Sequence, residues 1–247
     1  LSASVMEERE IFKNLTIFAP LIVRLDGRAF HRLTRDLGLK KPYDERFCHA
    51  MADVCRALIE DSGLEPAFAY TFSDEISLCF LQAPFRGRVE KIDSVCAGFA
   101  ASALTLALGV SSPLSFDARI IPVDEAAACA YFDLRQREAW RNHINAYCQQ
   151  ALIDGGMTSR QAARELKGMK APGMHDFMFE RGVNLARTPS WQRRGVIVRR
   201  VPVIKKGFNP VSGEHVEAER RVVRTDADLP LFSTPEGAAY IRSLFRA

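Results

Sequence analysis

The segment AFAYTFSDEISLCFL, residues 67–81, decides the fold. Two apolar runs rich in branched and aromatic side chains flank a tight Ser73-Asp74-Glu75 turn, the pattern of a β-hairpin. Upstream, PLIVRLD at residues 20–26 is too short for a helix and reads as a buried strand ending at Asp26-Gly27. Between the two, Asp44 is an N-cap, and Phe47, Met51, Val54, Cys55, Leu58 and Ile59 follow at helical spacing before Gly63. Downstream, residues 88–108 read as a core helix whose Ala97, Gly98, Ala101 and Ala103 permit close packing on a sheet. FDARIIPV, residues 116–123, is a further strand. The order strand, helix, strand, strand, helix, strand predicts an α+β fold: a ferredoxin-like βαββαβ antiparallel sheet with its helices on one face. The end of the first strand and the hairpin turn then lie side by side on the open face.

A more helical part follows. Residues 125–154 form one long helical candidate, with Trp140, Ile144, Tyr147, Cys148 and Ala151 as its stripe and Gly155-Gly156 as its end. Thr158 or Ser159 caps a short helix reaching Leu166. Residues 195–204 and 219–225 read as hairpin arms. From Trp191 to Arg224 nine Lys/Arg stand against three Glu, a local charge of +6 that exceeds the +4 of the whole chain.

With 247 residues, 47% apolar and 26% charged, the composition is globular and excludes a disordered or fibrous chain. A net charge of +4 admits a phosphate-rich partner without requiring one. The six cysteines (Cys48, Cys55, Cys79, Cys96, Cys129, Cys148) form no C-x-x-C pair and read as buried thiols of a reducing compartment. Residues 94–116 carry no charge, but Ser, Thr, Gly and Pro interrupt them, so we expect a core helix and not a membrane span. A cytoplasmic, soluble protein is the expectation.

Two carboxylates occupy special places. Asp26 ends a buried strand and Asp74 sits in the hairpin turn, and the predicted topology brings them together. Two such groups can share a pair of Mg²⁺ ions, with Gly27 letting its backbone carbonyl approach. The same residues also serve as plain turn-formers. Arg24 and Arg28 flank Asp26, Lys41 precedes the capped helix, and Arg88 and Lys91 share a face at its successor's start; together they would neutralise a triphosphate. Backbone N–H groups from Gly27 through Ala29 to His31 are candidate phosphate donors, and Phe30 is either a base-stacking surface or core. Asp117 reads as a partner for Arg119. Arg137, Arg141, His143 and Asn145 on the long helix, with Arg199, Arg200, Lys205 and Lys206 on the tail hairpin, are candidate nucleic-acid contacts, a structural role being the equally simple reading of the lone His143. For the hairpin, an edge protected by Lys/Arg is an equally simple reading.

RLDGRAFH at residues 24–31, KPYD at 41–44, YTFSDEIS at 70–77 and FDAR at 116–119 resemble the tRNA-His guanylyltransferase superfamily, over about residues 20–200. Those enzymes are similar to palm-type polymerases but extend RNA in the 3′-to-5′ direction. The resemblance implies a catalytic palm-like part at 1–130 and a tRNA-binding extension at 131–247. It implies that Asp26, Asp74 and the Gly27 carbonyl hold two Mg²⁺. It further implies that Ser73, Lys41, Asp44, Arg88 and Lys91, with the Arg24–His31 block, hold GTP, ATP or another nucleotide, and that the protein is a dimer of dimers. HINAYCQ at 143–149 and MHD at 174–176 depart from the strict tRNA-His pattern, whereas FERGVN at 179–184 and PSWQRRG at 189–195 look like the bacterial and archaeal branch, which repairs 5′-truncated tRNA on a template. Strict addition of one guanylate, a palm-fold nucleotide cyclase and a non-catalytic tRNA-binding module are the alternative readings.

Overall fold

A computed structural model describes residues 9–209 and 214–246, with side chains for all of these except His31, 207–209 and 214–216. Strand β1 (Leu21–Gly27) leads into a short helix α1 (Phe30–Asp36) and then α2 (Glu45–Glu60). The hairpin is β2 (Phe68–Phe72) and β3 (Glu75–Phe80), followed by α3 (Val89–Leu108) and β4 (Phe116–Pro122). Then come α4 (Glu125–Asp154), α5 (Ser159–Glu165), α6 (Ala171–Phe179) and α7 (Ser190–Arg194). The chain closes with a long hairpin, β5 (Val196–Asn209) and β6 (Glu214–Asp226), and with α8 (Pro235–Leu244).

All six strands form one antiparallel sheet in the order β4-β1-β3-β2-β5-β6. The expected βαββαβ unit is present. The tail hairpin joins the same sheet, because β5 pairs with β2 through its first four residues and then runs on with β6 alone.

The two helices of the βαββαβ unit lie on one face of the sheet, as expected, and elements outside that unit cover part of the other face. Leu21, Val23 and Leu25 of β1 pack with Ile76 and Leu78 of β3 against α2 and α3. The alternate residues Ile22, Cys79, Phe68, Tyr70 and Ile197 bury against Ala128 and Phe132 of α4 and Ile241 and Leu244 of α8. The apolar runs Leu21-Ile22-Val23 of β1 and Leu78-Cys79-Phe80 of β3 carry that message, since a strand solvated on one face alternates in polarity. The second face is apolar only toward the start of β1. Toward its end it turns polar with Arg24 and Asp26, and there the site lies.

Helix α4 has 30 residues, about 45 Å at the α-helical rise. Its first half packs on the sheet. Its second half projects past the sheet and builds a separate core, with Ile144, Cys148 and Leu152 packed on Ala162, Leu166, Met178 and Leu185. Helix α3 is long and apolar enough to cross a membrane by length and composition. In the fold it links β3 to β4 and lies on the sheet beside α2, its Ile92, Cys96, Ala100 and Leu104 fully buried. All six cysteines are free, and burial pushes the thiols of Cys79 and Cys96 up to about 12.

Candidate active site

The alternation of the strands decides which side chains meet. On the polar end of the second face, Asp26 stands opposite Glu75 of β3 and Asp117 of β4, while Arg24 stands opposite Ser77 and Arg119. The two-residue turn brings Asp74 alongside, and the Gly27 N–H donates to the Asp74 carbonyl at 3.0 Å. Asp26 and Asp74, distant in sequence, thus sit on two chain segments joined by a hydrogen bond.

Near each carboxylate one residue is held in a sparsely populated backbone conformation. Ser73 has φ 51° and Ala29 φ 62°, left-handed values that side-chain-bearing residues seldom adopt. Gly27 is needed for a different reason: a Cβ there would meet the Phe30 ring at 2.5 Å. Phe30 is only 4% exposed and packs edge-on to Phe47 and Phe116, so it is core; the base-stacking role considered for it is ruled out by this packing.

The Asp26 carboxylate draws two guanidinium groups, Arg24 Nε at 3.1 Å and Arg119 Nη1 at 3.5 Å, and Arg119 Nη2 reaches Asp117 at 3.3 Å. Below them Glu75 is buried and clasped by both nitrogens of the Arg135 fork from α4, with Nε at 2.8 Å. Burial pushes the Glu75 carboxyl up to about 7, against the opposing pull of Arg135. The Tyr131 and Ser77 hydroxyls share a hydrogen bond of 2.8 Å, and Arg135 lies over the Phe72 ring. Glu75, Arg135, Tyr131 and Arg119 are site residues the sequence reading missed or undervalued. Strand parity is the signal that finds them, because Glu75, Ser77 and Arg119 share the parity of Asp26.

Among the described residues no group of three or more Asp, Glu, His or Cys forms a metal cage. Two carboxylates and a backbone carbonyl suit Mg²⁺, which takes one or two carboxylates and completes its shell with phosphate oxygens and water. The two guanidinium groups gathered on Asp26 mark it as an oxygen donor in need of positive charge. The residues present fit the ion.

Several candidate nucleotide contacts stand elsewhere. Arg88 and Lys91 open α3 beside residues 15–17, where Val89 N–H donates to Leu15 and Ile17 N–H to Gly87. That is the entry end of β1, where Leu21 faces Phe80, about 16 Å of strand away from Asp26. Within one chain they do not join the carboxylates; a helix that returns antiparallel to its strand must start at the far end. With Glu10, Lys13 and Ser94 they line a shallow groove of about 250 Å³. Asp44 caps α2, accepting from the N–H groups of Lys40 and Arg46 at 2.8 Å and from the Arg46 guanidinium, and these bonds hold its carboxyl well below the ordinary range. Lys41 Nζ donates to Thr34 of α1 at 2.9 Å. Of the expected phosphate-binding amides, Gly27 is committed to Asp74 and Arg28 to Ser115, leaving Ala29 to His31. The His31 side chain lies outside the described residues.

The candidate tRNA contacts divide in the same way. Arg137, Arg141 and Asn145 are exposed on α4, the arginines paired with Asp133 and Glu138. His143 is fully buried, stacked on Trp140 and Tyr43, with Nε2 3.0 Å from the Thr188 hydroxyl, and is a packing residue and not an RNA contact. Arg199 is tied to Asp226 at 2.8 Å and Arg200 to the Ile59 carbonyl, whereas Lys205 and Lys206 are exposed.

A βαββαβ sheet that presents paired carboxylates at the end of β1 and in the central hairpin turn defines a palm-fold nucleotidyltransferase. The model of the tRNAHis guanylyltransferase family, Thg1, matches residues 3–135. The chain belongs to this family. The tRNA(His) guanylyltransferase of Schizosaccharomyces pombe is 28% identical over 216 residues, 82% of either chain. A probable tRNA(His) guanylyltransferase of Drosophila melanogaster is 26% identical over 74% of this chain and 68% of its own length. Among solved structures, a bacterial Thg1-like protein in complex with ATP superposes with a TM-score of 0.75 at 22% identity, covering 99% of both chains. The likeness in fold therefore includes the tail hairpin, which carries none of the recognised motifs.

Proposed function

We propose that the protein adds nucleotides to the 5′ end of tRNA in the 3′-to-5′ direction, and that it repairs truncated tRNA by copying the opposite strand. The observation that supports this reading is the Gly27–Asp74 backbone hydrogen bond, which joins the strand end that bears Asp26 to the turn that bears Asp74. Asp26, Asp74 and the Gly27 carbonyl would hold two Mg²⁺. When bound, such ions lower the pKa of an attacking 3′-hydroxyl and stabilise the departing AMP or pyrophosphate. Arg24 and Arg119 flank the reacting phosphate and offset its charge. Arg135 fixes Glu75, and with it the start of β3 that carries the Asp74 turn. Departures from the strict tRNA-His pattern at residues 143–149 and 174–176 support repair over addition of a single guanylate. Exposed apolar side chains at Ile11, Phe12, Leu15 and Phe18 support self-association, for which a dimer of dimers is our reading.

The test is extension of a series of tRNAs lacking the first 5′ nucleotide, with the facing base varied and each nucleotide supplied in turn with ATP. The template base should dictate the nucleotide added. Guanylate added whatever the template would contradict repair, and a cyclic nucleotide formed without tRNA would contradict the transfer reading. Asp26→Ala and Asp74→Ala should each lower extension by at least about a hundredfold, since metal-borne charge stabilisation is worth several kcal/mol, while the thermal melt stays cooperative.

A further inference from the structure

Four charges form a square on the polar face. Arg24 and Arg119 are direct cross-strand partners, and so are Asp26 and Asp117. Like charges directly opposite on a sheet repel. The square relieves this along β1 and across to β4: Asp26 pairs with Arg24 and with Arg119, and Asp117 pairs with Arg119. Arg119 therefore spans two carboxylates with one guanidinium, at 3.5 Å to Asp26 and 3.3 Å to Asp117. Both Arg119 and Asp117 are more than half exposed, so neither is fixed by packing.

We propose that Asp117 is a positioning residue that holds Arg119 off Asp26. Arg119 is one of two counter-ions of the Asp26 carboxylate, and the farther of them at 3.5 Å against 3.1 Å for Arg24. As a dication approaches, the Arg119 guanidinium swings fully to Asp117, a movement of one side chain between acceptors it already touches. Without Asp117 the guanidinium keeps Asp26, the other carboxylate it already touches, and competes there with the incoming ion. No bond forms or breaks, and no proton moves. The inference rests on the metal reading of Asp26 and Asp74 proposed above.

The two residues should then act with opposite signs on the affinity for a divalent ion. Binding of Mn²⁺ alone, without nucleotide or tRNA, is measured from the electron paramagnetic resonance signal of the free ion. Asp117→Asn should weaken Mn²⁺ binding about fivefold and Arg119→Gln should tighten it about fivefold, the worth of one exposed ion pair near the top of its range. In the double variant, the Asp117→Asn penalty should shrink, because the competitor it restrains has gone. Merely structural roles would move both single variants the same way. If Arg119→Gln weakens binding, or if Asp117→Asn costs as much with Arg119 absent as with it present, the inference is wrong, and in the latter case the Asp117 charge acts on the ion independently of Arg119. If the unmodified protein binds no Mn²⁺ that Asp26→Asn removes, the metal reading itself falls and takes this inference with it.

Discussion

Asp26 is poised by its neighbours more than by its own position. Its carboxylate is about one-third exposed, paired with two arginines, and set beside a turn whose Ser73 is held at φ 51°. A glycine would occupy that turn position with less strain. Ser73 persists there, and its hydroxyl lies 3.2 Å from the Asp74 carboxylate. Ser73→Gly should therefore raise unfolding free energy by up to about 1 kcal/mol, the scale of left-handed strain. The same change should lower kcat/KM for nucleotide addition roughly tenfold, the loss of one hydrogen bond to a charged group. Chemical denaturation and steady-state kinetics on one preparation check both; a variant that is no more stable than the parent contradicts the strain assignment. Asp26 stands out in the sequence as the end of a strand and Asp74 as part of a hairpin turn, and the structure puts them at those places. Arg135 was not, because its partner Glu75 lies 60 residues away and only the packing of α4 on the sheet joins them.

Among the elements, α4 does two jobs, and its second half owes its place to an aromatic cluster. His143 lies between Trp140 at 5.4 Å and Tyr43 at 5.5 Å, with Tyr147 at 4.8 Å. Tyr43 stands next to the cap of α2, so the cluster ties the sheet's own helices to the projecting half of α4. Burial, with Arg193 and His175 nearby, lowers the His143 pKa to about 4 from an ordinary 6.5. The unfolded chain then takes up this proton first as pH falls. The stability involved is fully present above pH 6.5 and is lost as pH drops to about 4. Its size is about 3 kcal/mol for a shift of this width. His143→Phe keeps a ring in the stack and should flatten the decline between pH 6.5 and 4.5; urea midpoints across that range check it, and an unchanged slope contradicts the burial argument. Helix boundaries at α2, α3 and α4 followed from caps and spacing, such as Asp44 and the Gly155-Gly156 end. Helices α1, α6 and α8 did not, since each is short and takes its stability from tertiary contact more than from its own pattern.

For the whole molecule, the long hairpin gives the site a charged extension. Continuing the alternation from Ile197 and Asp226, Lys205, Arg220 and Arg224 fall on the face that bears Asp26, while Arg200, Lys206 and Arg221 fall on the face toward α2. Arg200 and Arg56 already bind that helix and the hairpin together. An RNA end lying in the site would meet the first set. Arg220→Gln with Arg224→Gln should lower tRNA affinity and reduce the slope of log affinity against log salt by about 1.5, close to one for each phosphate no longer neutralised. Arg200→Gln should leave the slope unchanged, and equal effects of both changes would contradict the facial assignment. The basic tail was visible as a charge excess, but the face on which each charge falls depends on the pairing of β5 with β2, which joins segments about 130 residues apart. The covering of the second sheet face is long-range too, since it is made by α4 and α8. The account as a whole stands on Asp26 and Asp74 sharing divalent ions over a phosphate. A crystal structure with GTP and Mn²⁺, phased to show the manganese anomalous signal, tests this most directly. It should show two ions about 4 Å apart, bridged to the triphosphate and held by Asp26, the Gly27 carbonyl and Asp74, with Arg119 on Asp117. Manganese bound elsewhere, with Asp26 still paired to Arg24 and Arg119, would contradict it.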